Sequence, residues 1–135
     1  MISSMFLRVY AHEGKRLSTS FESFVDILSQ WQGMFIELDG SFVWAFVSDS
    51  RRYQLDGMVY DRDGAIEYVE LKGELIPEMW NRLMMALADN AADSGTCDSI
   101  LRVHDVAREN WTTPSAILQA ISTRSLHPLG GSDAD

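Results

Sequence analysis

Asp56, Glu70 and Lys72 are the residues of this 135-residue chain whose types and spacing could do chemistry together. They lie in the stretch Tyr53 to Gly73, which reads as two antiparallel strands joined by Asp61-Arg62-Asp63-Gly64. A type I turn closed by a left-handed Gly64 leaves a three-residue loop between Asp61 and Ala65. Counted back from that pair, Tyr60 faces Ile66, Met58 faces Tyr68, Asp56 faces Glu70 and Gln54 faces Lys72. Directly opposed side chains have Cβ atoms only about 4.5–5.5 Å apart, so two carboxylates there repel each other. A Mg²⁺ ion held between them removes the repulsion. It could also activate a water for attack on phosphorus, with Lys72 stabilising the charge that develops.

An acid on one strand, followed by Glu70-Leu71-Lys72 on the next, resembles the active hairpin of the PD-(D/E)xK nuclease superfamily. The resemblance spans this hairpin alone. It implies metal-dependent phosphodiester hydrolysis, with Asp56 and Glu70 as metal ligands, Lys72 polarising the water, and Glu22 as an accessory acid. Leu55 stands where that pattern has proline. The same family's core continues after the hairpin with a helix and a further strand, for which the stretch SILRVH from Ser99 is the candidate.

The same three residues have a purely structural reading. On the solvated face of an outer strand, Arg51, Arg52 or Arg62 can neutralise the acids, and a one-residue slip separates them. Other chemistry is not signalled. The histidines at 12, 104 and 127 are scattered, and no Cys/His cluster has metal-site spacing. There is no glycine-rich phosphate loop and no nucleophile elbow. Cys97 is the only cysteine, so no intrachain disulfide forms.

The elements that must position these residues follow from periodicity. Residues 5–12 alternate as a strand, with Met5, Leu7, Val9 and Ala11 on one face. A helix is expected over 20–32, capped by Thr19 with Glu22 and carrying the stripe Phe21, Phe24, Val25, Leu28 and Trp31. Gly33 suits the left-handed position after it. Strands 34–38 and 41–47 flank Asp39-Gly40, a two-residue hairpin signal that sets Ile36 against Val43 and Phe35 against Trp44. Phe35, Phe42, Trp44 and Phe46 are then expected on one side. Strands 53–60 and 65–73 complete a meander, and helices follow at 77–91 and 113–124, each opened by a proline. Residues 98–110 read ambiguously and lean to helix through Ile100, Val103, Ala107 and Trp111. The fold class is therefore α+β: a four- to five-stranded antiparallel meander with helices packed on it. Residues 1–124 form one domain, and the tail 125–135 lacks periodicity and is expected to be disordered.

Composition bounds the function. The formal charge is −9, from 20 acidic and 11 basic residues, which disfavours nucleic acid and anionic membranes as partners. A local patch can still differ in sign, and nine of the eleven basic residues are Arg. No apolar run approaches the roughly 20 residues of a membrane span, and no leader pattern opens the chain. A cytoplasmic location is expected. Four Trp, six Phe and seven Met exceed what one modest core needs, so some should line an interface. The favoured expectation is a non-catalytic, cofactor-free module that binds a protein partner or itself, an acidic rim favouring a basic partner. The alternative is a Mg²⁺-dependent nuclease-like enzyme.

Overall fold

The computed structural model describes residues 4–12, 16–88 and 94–126. It shows an α+β fold built on one seven-stranded, wholly antiparallel sheet. In chain order the elements are β1 (Met5–Ala11), α1 (Phe21–Ser29), β2 (Met34–Ile36), β3 (Ser41–Ser48), β4 (Arg51–Arg62), β5 (Ala65–Gly73), α2 (Pro77–Leu87), α3 (Ser94–Ile100), β6 (Leu101–Asp105), β7 (Asn110–Thr112) and α4 (Pro114–Leu126). The spatial order is β2-β3-β4-β5-β1-β6-β7. The expected meander is present as β2 to β5. The sheet is wider than expected because β1 joins β5 and a C-terminal hairpin then joins β1.

That hairpin corrects the helical reading of 98–110. Helix α3 ends at Ile100 and β6 begins at the next residue, burying Leu101, Val103 and Asp105 while Arg102 and His104 point to the opposite face. Helical spacing alone favoured the longer helix. A free edge on β1 offers backbone hydrogen bonds that this segment satisfies by pairing, which local propensity does not foresee.

The inner face of the sheet is the core. Leu7, Val9, Trp44, Leu55, Val69, Leu71, Leu101 and Val103 are all fully buried there. Against them lie Phe24 and Leu28 of α1, Met79, Trp80, Leu83 and Leu87 of α2, and Ile117 and Ile121 of α4. At about 1.5–3 kcal/mol per buried large side chain, this face is the main source of stability. Alternation is what makes it one-sided: the intervening residues of each strand are exposed or half-exposed. No helix among the described residues is long and apolar enough to cross a membrane.

Helix ends are tied to neighbouring elements. Ser20, not Thr19, caps α1, its hydroxyl accepting from the Ser23 amide at 3.1 Å. Thr19 is buried and its hydroxyl reaches the carbonyls of Ala86 and Leu87 at 3.4 Å, at the C-terminal end of α2. Thr113 caps α4 as expected, and the Trp80 indole donates to the Pro114 carbonyl at 3.1 Å, pinning α2 to α4. Asp98 accepts from the Ser115 amide at 2.9 Å, so α3 also serves the start of α4. α4 runs through Leu126, past the start expected for the tail. α2 ends at Leu87 with Ala88 as its C-cap, short of the expected end at 91, and residues 13–15, 89–93 and the tail beyond Leu126 lie outside the described residues.

Both hairpin registers differ from expectation. β2 pairs Met34 with Trp44, Phe35 with Val43 and Ile36 with Phe42. Glu37 and Ser41 close a three-residue loop, the Glu37 amide donating to the Ser41 carbonyl at 2.9 Å. The Asp39 carboxylate accepts from both the amide and the hydroxyl of Ser41. One extra loop residue slips the register by one and turns Phe35 to the outer face, where it is 68% exposed. The β4–β5 turn is tighter than expected. Asp63 and Gly64 both take left-handed angles, φ 54° and 85°, so Arg62 and Ala65 close a two-residue loop. A bulge then follows between Tyr60 and Asp61 and leaves Glu67 without an opposite residue.

Gly33 and Gly64 predict contrasting mutational costs. Gly33, at φ 81°, lies so close to β3 that an added Cβ would stand 2.0 Å from the Ala45 carbonyl oxygen. Gly64, at φ 85°, has nothing within 4 Å of that position. Gly33→Ala should therefore cost about 3 kcal/mol, adding overpacking to left-handed strain. Gly64→Ala should cost only about 1 kcal/mol. Denaturant unfolding of the two variants measures the difference, and equal losses would refute the contact at Gly33.

Candidate functional site

The two irregularities of the β4–β5 hairpin decide where its charged residues lie. Turn and bulge together shift the register by two, so Asp56 faces Lys72 and Met58 faces Glu70, rather than Asp56 facing Glu70. Beyond the bulge a shift of two keeps each side chain on its face, whereas Ile66, expected opposite Tyr60, pairs with Asp61 and is buried in the core. Asp56, Glu70 and Lys72 thus share the outer face as expected, with the carboxylates diagonal instead of opposed. Each also has another partner. The Arg8 guanidinium donates to Glu70 at 2.9 Å, and that hydrogen bond is the main reason its pKa is raised. Asp56 accepts from the Gln54 side chain at 3.4 Å, and the Lys72 ammonium lies 5.3 Å from the centre of the Phe6 ring. No three His, Cys, Asp or Glu side chains gather as a metal-binding group among the described residues. Glu22 is exposed on α1.

The bulge also builds something that the sequence reading missed. It sets Tyr60 directly opposite Tyr68, and β1 sets Tyr10 opposite Tyr68 on the other side. Three tyrosines therefore form one row across three adjacent strands. Their ring centres are 4.5 Å apart for Tyr60–Tyr68 and 4.9 Å for Tyr68–Tyr10, both stacked. Trp111 of β7 extends the row, 5.2 Å from Tyr10 and 4.8 Å from His104. The Arg102 guanidinium lies 3.9 Å over the Trp111 ring, and Arg8 lies 5.7 Å from Tyr68. Each ring pair contributes about 0.5–1.5 kcal/mol beyond its buried area. Burial raises the Tyr68 pKa, with the Tyr60 hydroxyl adding to it and Arg8 opposing it.

This row lies on the face away from the helices, and Trp111 remains half exposed. Farther along the same face Phe35, Val43 and Val47 are exposed too. Alternation could have placed Tyr10, Tyr60 and Tyr68 on outward positions, but their alignment needed the bulge and the insertion of β1. Beside the row, Tyr10 and Tyr68 line a shallow cleft of about 440 Å³ bordered by His12, Arg16, Arg62 and Glu67. Arg62 and Glu67 are paired at 3.1 Å. No protein-family model matches the chain, and neither does any curated protein or solved structure.

Two predictions arise from this geometry. Because Glu70 is held by Arg8 and Asp56 faces Lys72, titration with Mg²⁺ or Mn²⁺ should leave the unfolding temperature unchanged. A Mg²⁺-dependent stabilisation that Asp56→Ala abolishes would reinstate the paired-carboxylate metal site. Tyr68 makes the second case. Its folded-state pKa is raised above the ordinary value near 10, so its contribution to stability is complete below pH ~10. That contribution is lost as the pH rises from the unfolded-state value through the folded-state one. Tyr68→Phe should lose less stability than wild type between about pH 9 and pH 11. Parallel losses in unfolding midpoint would show that Tyr68 is not the group responsible.

Proposed function

We propose that this protein is a non-catalytic binding module whose outer sheet face takes another protein. The observation that carries the reading is the aromatic row Tyr60–Tyr68–Tyr10–Trp111 on a face that no helix among the described residues covers. Tyr, Trp and Arg are the residues enriched at the energetic centres of protein interfaces. Here the rings are held in place by contact with one another, so little side-chain entropy remains to be lost on binding. Self-association through sheet edges is less favoured. The edge strands β2 and β7 have three residues each, which leaves a short backbone template for strand addition.

Site-directed photo-crosslinking in cells distinguishes the faces. A photoreactive residue in place of Trp111 should give discrete protein adducts, while one in place of Glu78, exposed on α2, should not. The mass of the adduct separates a second copy from a different protein. Adducts of equal yield from both positions, or from Glu78 alone, would remove the outer face as the binding surface.

A further inference from the structure

We infer that the partner of this face is an acidic protein segment carrying apolar side chains, an assignment that rests on the binding-module reading above. The outer strand positions carry Arg8, Arg52, Lys72 and Arg102 against the two carboxylates Asp56 and Glu70. This face therefore has an excess of positive charge on a chain whose formal charge is −9. The cleft beside the tyrosines continues the trend, with Arg16 and Arg62 at its border against Glu67. Cationic side chains and aromatic edges thus alternate along one surface. Complementary potential steers the encounter and selects the partner, while the rings supply the contact.

Two other occupants fit less well. Two such faces brought together in a symmetric dimer would oppose like charge to like charge. A single-stranded nucleic acid would match the charge, but base stacking needs open ring faces. In this row Tyr68 has Tyr60 on one side and Tyr10 on the other, so stacking occupies both faces of its ring and leaves its edge and hydroxyl to a partner, and the Arg102 guanidinium lies over the Trp111 ring. Edges and hydroxyls suit the leucine, phenylalanine and carboxylate groups of a protein chain.

Selection from a random peptide display library on the immobilised full chain tests the assignment, with a single-stranded oligonucleotide pool in parallel. Retained peptides should combine Asp or Glu with Leu, Phe or Trp, and should be lost on Trp111→Ala. Their affinity should fall about tenfold on the double variant Arg16→Glu, Arg62→Glu, and similarly between about 50 and 500 mM NaCl. Both arginines are exposed, so this variant keeps the test decisive should Trp111→Ala disturb β7. Matching unfolding midpoints establish that each variant is folded. Trp111-dependent peptides that are neutral or basic would overturn the acidic assignment and leave the binding face standing. Peptides indifferent to both variants, or none retained, would overturn the face itself and the assignment with it. Face-dependent retention of oligonucleotides instead of peptides would replace the protein partner by a nucleic acid.

Discussion

The insertion of β1 between β5 and β6 is the constraint on which the rest of this structure depends. Leu7 and Val9 on its inner side are fully buried, and both of its edges are paired, residues 5–10 to β5 and 7–11 to β6. Without it the meander and the C-terminal hairpin would be separate pieces, each with an open edge. The pairings join residues about sixty and about ninety positions apart, so the strand that comes first must wait for chain made much later. Loop closure of that length costs entropy before any contact repays it.

The same strand assembles the outer face. Tyr10 stands between Tyr68 of β5 and Trp111 of β7, so residues from three distant parts of the chain meet on it. Arg8, one pair along, ties Glu70 down and approaches Tyr68. Inner-face burial and the outer aromatic row are therefore two sides of one element. Alternation along β1 separates them cleanly, because each step of the chain moves to the opposite face. The helices fill the inner side, and the outer side is left with its rings and guanidinium groups packed against one another.

Much of the architecture was legible because its signals are local. The apolar stripe of α1, the prolines at the starts of α2 and α4, and the alternation of β1 and β3 each depend on residues within a few positions. Register was less legible. Asp39-Gly40 and Asp63-Gly64 mark turns correctly, yet one loop is a residue longer than expected and the other a residue shorter. A slip of one moved Phe35 across the sheet, while turn and bulge together kept Asp56, Glu70 and Lys72 on their face and changed only their partners. The segment after Ile100 is ambiguous for a related reason: whether it continues as helix or pairs as strand depends on an edge that the segment does not contain.

By itself, then, the sequence determined an α+β fold, which residues alternate and which fall on helical stripes, and that Asp56, Glu70 and Lys72 point the same way. These are properties of the backbone period and of turn chemistry, which act over a few residues. Tertiary structure alone decided that Glu70 meets Arg8 rather than Asp56, and that Tyr10, Tyr60, Tyr68 and Trp111 form one row. The reason is physical. A side chain's neighbours across a sheet are set by strand order and bulges, and those are chosen by the burial of the opposite face.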